Sequence, residues 1–467
     1  MKEENSKAKE LSDKLFYRKK SVYEYTDSAH VEKAYDYAKG YSAFLDAAKT
    51  EREAVREAIR LATERGFVPY ALGDKVSAGG KYYYNNRGKS LYLFTVGTEP
   101  LEAGIRISAA HIDSPRLDLK QCPLYEDGGM SFFKTHYYGG IRKYQWVATP
   151  LALHGVVVKK DGTVVEVCIG EDDSDPIFYI NDLLPHLGHE NDRKPISEAI
   201  PGEKLNILVG SRPFDDSGNK DAIKLNTMVL LNEKYGITED DFLSAELSVV
   251  PAIKARDVGF DRSMIGAYGH DDRVCAYPAL SAIFDCADST HTLMCVLADK
   301  EETGSDGNTG MKSDLFLDLI TELSKALGAD PAMVRANSKC LSADVSAAYD
   351  PNFPDVFEKR NTPLLSAGVV LTKFTGSRGK SGTNDASAEY IGWLRRVMED
   401  DGVVWQAGEL GKVDCGGGGT VAKFLAEHNI ETVDLGVPVI SMHAPCEVIA
   451  KVDLYEAYRA FCAFCRT

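Results

Sequence analysis

The chain has 467 residues, 44% of them hydrophobic, and a formal charge of −16 from 70 acidic and 54 basic side chains. That length allows two or three domains and a large core without disulfide staples. The acidic balance argues against a protein that coats nucleic acid or an anionic membrane, and no run approaches the ~20 apolar residues of a membrane span.

The N-terminus, MKEENSKAKELSDK, is polar and has no apolar signal core. Residues 1–65 read as helical: HVEKAYDYAKGYSAFLDAAKTEREAVREAIRLATERG spaces its apolar residues for one helix face and stops at Gly66. KSLYLFTVG and AGIRISAAHIDSP then read as buried strands. Beyond residue 117 the pattern alternates, as in WVATPLALHGVVVKKDGTVVEVCIG with its KKDGT hairpin turn, and LNILVGSRPF continues it. Residues 118–252 therefore read as a β-rich domain inserted into an α/β domain made of 1–117 and 253–467.

In the second part, HTLMCVLAD, KCLSADVS, AGVVLTKFTG, VVWQAGE and TVDLGVPVISMHAP read as strands. Between them DRVCAYPALSAIFDCA, DLFLDLITELSKALG, DASAEYIGWLRRVMEDDG and the glycine-led GGGGTVAKFLAEHN read as helices. That rhythm predicts an α/β fold, a mostly parallel sheet with helices on both faces. The ten cysteines are scattered, several in apolar runs such as TLMCVLA, which fits a reducing cytoplasm. Cys462 and Cys465 form a C-x-x-C but sit on an amphipathic terminal helix, and read as helix-face residues.

Five stretches share one format, an apolar run ending in a metal-type ligand: ISAAHIDSP, AYGHDDR, VLADKEETG, CLSADVS and VISMHAP. They offer His111, Asp113, Asp271, Asp272, Glu301, Glu302, Asp344 and His443. Sites in open α/β sheets gather at the carboxyl ends of strands, where ligands distant in sequence meet. Imidazole with carboxylate suits zinc, manganese or cobalt. Singly, Asp113 fits a turn and Asp271–Asp272 a helix cap; five such coincidences argue for a common centre.

These segments resemble the aspartyl aminopeptidases, two-zinc exopeptidases. AAHIDSPRL is similar to that family's His-x-Asp-Ser-Pro, DKEETGS to its Glu-Glu-Val-Gly-Ser, SADVSAAYDPNF to its Ser-Ala-Asp…Pro-Asn, and SMHAPCE to its Ser-Met-His-Ser. The resemblance implies a zinc-exopeptidase-like catalytic domain, an inserted β-rich dimerisation domain and a homododecamer. It implies two divalent ions per chain, zinc with manganese or cobalt as alternatives. Asp271 would bridge them, His111 and Asp344 completing one site and Glu302 and His443 the other. Three carboxylates and one hydroxide then balance two divalent ions. Asp113 would accept the second N–H of His111, and Glu301 would be the catalytic proton shuttle.

The implied activity is removal of N-terminal residues, acidic ones above all, from peptides. For the acidic side chain LTKFTGSRGKSGTND offers Lys373, although this stretch departs from the family pattern, as does DCGGGGTVAKF. The segment NDLLPHLGHENDR offers His186 and His189, one of which would reach a neighbouring subunit's site. YYGGIRKYQW reads as backbone near the site entrance, and the run 416–419, which lacks the P-loop order, as a turn lining the site. The rival readings are a broad-specificity two-metal aminopeptidase or deacylase, and a non-catalytic peptide-binding assembly of the same fold.

Overall fold

The structure is a computed structural model that describes residues 7–215 and 220–467. The helical N-terminal reading appears as Lys7–Leu15, Val22–Tyr25, Ser28–Ala47 and Glu51–Glu64; residues 1–6 of that reading lie outside the described residues. Asp27 caps the third helix by accepting the His30 N–H at 2.9 Å, and Ala34, Ala38, Tyr41 and Leu45 share its buried face. Thr50 and Glu53 form a capping box on the fourth, with Glu53 Oε2 accepting the Thr50 N–H at 3.0 Å.

The largest sheet has nine strands and is mixed. At its centre Leu293–Ala298, Arg106–His111, Lys339–Ser342 and Glu431–Gly436 run parallel as neighbours. Leu293–Ala298 and Arg106–His111 are buried along their whole length, as strands covered on both faces must be. Alternate residues divide between two cores. Ala110, Cys295, Leu297 and Leu341 pack with the helices Ser28–Ala47, His270–Asp285 and Lys451–Cys465. Ile107, Ala109, Met294 and Val296 pack with Leu315–Leu327. Register then aligns the carboxyl ends: His111 pairs with Ala298, so residues 299–302 emerge beside it.

A seven-stranded antiparallel sheet lies between residues 116 and 251, in the order Val164–Ile169, Leu151–Val158, Ala245–Pro251, Arg116–Asp127, Met130–Tyr138, Ile207–Gly210, Tyr179–Ile180. Its Asp127–Met130 hairpin turns through Gly128 and Gly129, both at positive φ, which a two-residue turn of this hand requires. A third, five-stranded sheet carries Met264–Ala267, Glu447–Ala450, Pro438–Ile440 and Ser346–Ala347, which lead into or out of three of the ligand segments.

Two elements differ from the sequence reading. GGGGTVAKFLAEHN is helical only over Ala422–Ala426, and its glycines form irregular backbone. Each glycine disfavours helix by about 1 kcal/mol relative to alanine, and four in a row prevent its start. The helix His270–Asp285 begins with non-helical Asp271 and Asp272, joined by a cis peptide, and continues through Pro278.

Gly436 pairs with Val370 where the neighbouring chain carries Asp344, and a Cβ built on Gly436 would run into the Asp344 carbonyl. Gly436→Ala should therefore lower the unfolding free energy by about 1–3 kcal/mol and move Asp344. Chemical denaturation followed by tryptophan fluorescence measures the first effect, and metal content the second.

Candidate metal centre

Each candidate ligand sits just past an element that fixes it. His111 ends its strand, and its Nδ1–H points at the Asp113 carbonyl (3.0 Å) and carboxylate (3.3 Å), leaving Nε2 free to face the site. Glu301 and Glu302 form a single tight turn between Lys300 and Gly304, both left-handed. Asp344 follows the strand Lys339–Ser342 by two residues. His443, itself at φ 65, lies on the loop between two strands of the small sheet.

The structure brings these side chains together around Asp271. Its Oδ1 lies 3.0 Å from His111 Nε2 and its Oδ2 3.1 Å from His443 Nε2. His111 Nε2 is 3.9 Å from both Asp344 Oδ1 and Glu301 Oε2, while His443 Nε2 is 3.5 Å from Glu302 Oε1. The arrangement has two lobes, one histidine in each, with Asp271 between them. Asp271, Glu301, Glu302, Asp344 and His443 line a cleft of about 590 Å³ that Gly417–Gly419, Thr372, Lys312 and Lys423 also border.

Two buried carboxylates hold this set, and only one was visible in the sequence. Asp113 accepts the backbone N–H of Glu301 and of Glu302, each at 3.2 Å, and the Tyr138 hydroxyl at 2.7 Å. Glu447, missed by sequence reasoning, accepts the Asp271 N–H at 3.1 Å and the His443 N–H at 2.7 Å. The Gly140 carbonyl takes the His443 Nδ1–H at 2.7 Å, which aims Nε2 inward. Gly139, at φ 74, passes so close that a Cβ there would lie 3.3 Å from Glu302 Cβ. The segment YYGGIRKYQW carried the only signal for these last contacts.

The centre is short of positive charge. Burial, with Asp344, Asp271 and Asp113 outweighing the help of His111, pushes Glu301 up to about 8. Burial and Asp271 raise Glu302 well above the usual carboxylate range, and burial and Asp344 do the same to Asp272. Against its own burial, the two imidazoles that face it hold Asp271 low. Among the described residues, Glu302 Oε1 and both Asp272 oxygens are buried without a hydrogen-bond partner, and Asp271 Oδ1 meets His111 outside hydrogen-bond geometry. Unpaired buried carboxylate oxygens facing imidazole nitrogens are what divalent cations satisfy. His111–Asp271–Glu302, His111–Glu301–Asp344 and Asp271–Asp272–Asp344 each bring donor atoms within 4.8 Å of one another.

The remaining expected residues lie elsewhere. Lys373, half exposed, is ion-paired with Asp385, which also takes Lys380 at 2.9 Å, and is not in the cleft lining. His186 and His189 are exposed on the inserted segment, beside Leu183, Leu184 and Leu187. The glycine run 416–419, read as a turn lining the site, contributes Gly417–Gly419 to the cleft wall.

The family model for aminopeptidase I zinc metalloproteases (M18) matches residues 44–465. The chain is 49% identical over 462 residues to the probable M18 family aminopeptidase 1 of Clostridium acetobutylicum, which covers 97% of this chain and 99% of that protein. The crystal structure of the M18-family aminopeptidase of Thermotoga maritima aligns with a TM-score of 0.92 at 45% identity, over 96% of this chain and 99% of that one. The fold is also that of the S. cerevisiae mApe1 dodecamer, with a TM-score of 0.75 at 22% identity over 91% of this chain and 95% of that one.

Glu447→Gln leaves one acceptor for two backbone donors. It should weaken metal binding about 10–100-fold, as outer carboxylates of this kind do. Titration of metal-free protein in a metal buffer checks this, with Glu447→Asp as the milder variant.

Proposed function

This chain belongs to the M18 aminopeptidase I family of zinc metalloproteases and is a metallo-aminopeptidase, a hydrolase; from that premise we propose that it removes N-terminal residues, acidic ones preferentially, from peptides. The single observation that carries the reading is the position of Asp271 between His111 and His443, at 3.0 and 3.1 Å, in one buried cluster of carboxylates.

The residues fit two zinc-class ions, with Asp271 shared, His111 and Asp344 on one and Glu302 and His443 on the other. Such ions, when bound, would supply Lewis acidity toward the scissile carbonyl and lower the pKa of a bound water. Glu301 stands 3.9 Å from His111 at the cleft, beside the shared site. Its carboxylate takes the proton of the attacking water and delivers it to the leaving amine nitrogen. Asp113 orients His111 and, through two N–H groups, holds the turn that aims Glu301 and Glu302.

Acidic preference needs a cation along the cleft. Lys312 and Lys423 border it and share the Phe424 ring, at 5.7 and 5.8 Å from its centroid. Lys373 would have to leave Asp385 to take this role. Self-association, up to a dodecamer, is supported by the mApe1 assembly of the same fold and by the exposed Leu183, Leu184 and Leu187 beside His186 and His189. In such an assembly His186 or His189 would reach a neighbouring chain's cleft. Six cysteines buried as free thiols suit a reducing cytoplasm.

Two measurements test this function. Glu301→Gln should lose at least about 100-fold in kcat on free N-terminal dipeptides while keeping its metals; retained activity, or equal cleavage of N-acetylated peptides, removes the aminopeptidase mechanism. For selectivity, Asp- and Glu-anilides are compared with Ala- and Leu-anilides. Lys312→Ala with Lys423→Ala should lower kcat/KM on the acidic pair about tenfold or more, for one charged hydrogen bond of about 1.5–3 kcal/mol. Loss in Lys373→Ala alone assigns the role to Lys373, and a wild type without acidic preference withdraws it.

A further inference from the structure

We propose that Glu53, His154 and Cys168 form a second metal site, for one zinc-class divalent ion, at the joint between the helix Glu51–Glu64 and the seven-stranded sheet. The residues lie outside the catalytic cleft. His154 and Cys168 are direct cross-strand partners in the antiparallel pair Leu151–Val158 and Val164–Ile169, so their side chains share one face. That face meets the helix: Arg56 reaches Glu166 at 2.6 Å, and Glu53 Oε1 reaches His154 Nδ1 at 2.8 Å. Glu53, His154 and Cys168 offer one donor atom each, all within 4.8 Å of one another.

The chemistry of the set is specific. Imidazole, thiolate and carboxylate together suit zinc or cobalt, whereas magnesium and calcium take oxygen. His154 is 2% exposed and oriented from both sides, for its Nε2 lies 3.1 Å from Glu171 Oε1. An ion taking the place of the proton between Glu53 Oε1 and His154 Nδ1 leaves the Nε2–H donating to Glu171, the carboxylate–histidine–metal relay of known zinc sites. Glu53 Oε2 is already committed to the capping box, so Oε1 is the free ligand atom. Cys168 is exposed and gives the ion a route in.

The exchange balances. Without metal, Glu53, Glu171 and a protonated His154 carry a charge of −1, with the Cys168 thiol neutral. Burial opposes that protonation, but Cys168, Glu171 and Glu53 outweigh it and raise His154 to about 11. A divalent ion releases two protons, one from the imidazolium and one from the thiol; the four side chains then carry −3, and with the ion the site again sums to −1. Lys49 and Lys254, each 3.4 Å from Glu171, offset that charge in both states. The ion would clamp the inserted sheet to the helix where proton-mediated contacts hold it otherwise.

Cobalt substitution tests the site, because the catalytic ligands include no thiolate. Metal-free full-length protein is loaded with Co(II) and scanned for the near-ultraviolet thiolate-to-cobalt charge-transfer band. The expected result is a band saturating at one ion per chain. Cys168→Ser should abolish it, lower bound metal by one equivalent and leave peptidase activity unchanged. Cys446→Ser, which alters the cysteine three residues from His443, should keep it. Absence of the band, or its survival in Cys168→Ser, overturns the proposal.

Discussion

The structure is organised around an electrostatic difficulty: Asp271, Asp272, Glu301, Glu302 and Asp344 gather at one point by the carboxyl ends of the central parallel strands. Two like charges 4 Å apart at an effective dielectric of 20 repel by about 4 kcal/mol. A neutral hydrogen bond returns about 1 kcal/mol net. No single contact could hold such a cluster, and the protein uses a hierarchy instead. Two histidines enter it directly. Asp113 and Glu447 stand one layer out, and they grip backbone N–H groups rather than the ligand carboxylates. Gripping the backbone leaves Asp271 Oδ1, Glu302 Oε1 and both Asp272 oxygens buried without a hydrogen-bond partner among the described residues.

The same logic accounts for the backbone around the ligands. Lys300, Ser441 and His443 adopt left-handed conformations that cost non-glycine residues roughly 1–3 kcal/mol each when the surroundings impose them. Each lies within three residues of a backbone N–H taken by Asp113 or Glu447. Turning the chain this sharply places Glu301 and Glu302 side by side but facing different histidines. Glu302 reaches His443 and its neighbour reaches His111.

Much of this was legible in the sequence because strand ends impose a format. A buried apolar run cannot continue into charged residues without leaving the core, so His111, Glu301, Glu302 and Asp344 announced themselves. The α/β class followed from the same alternation. Glu447 gave no signal, since a glutamate opening a short strand is ordinary until its two backbone partners, 176 and four residues away, are known. The glycine run 416–419 was legible as a turn beside the site, but the helix expected after it is confined to Ala422–Ala426. Lys373 stood out as a cation in a glycine-rich loop that partly resembles the family pattern, and Asp385, twelve residues later, could not be seen to engage it. The KKDGT turn fixes the register that pairs His154 with Cys168, but nothing in the sequence says that a helix one hundred residues earlier meets them.

The boundary at residue 117 has a physical meaning of its own. The strand Arg116–Asp127 crosses it, and its hairpin partner Met130–Tyr138 runs directly into the metal centre. Tyr138 ends that strand on Asp113, with Arg116 over its ring at 4.1 Å, and two residues later Gly140 supports His443. The seven-stranded sheet therefore supports the candidate metal centre in its own chain. Its orientation has to be fixed as closely as that of the ligands. An apolar joint would allow sliding, whereas the joint that is present is charged: Arg52 and Lys89 on Glu246, Arg56 on Glu166, Glu53 on His154, and Lys49 on Glu171. Pairs of this kind add little to stability when exposed, but each is satisfied in only one register. Here a network of modest charged contacts joins the helix Glu51–Glu64 and its neighbours to the sheet whose strand end carries Tyr138 to Asp113.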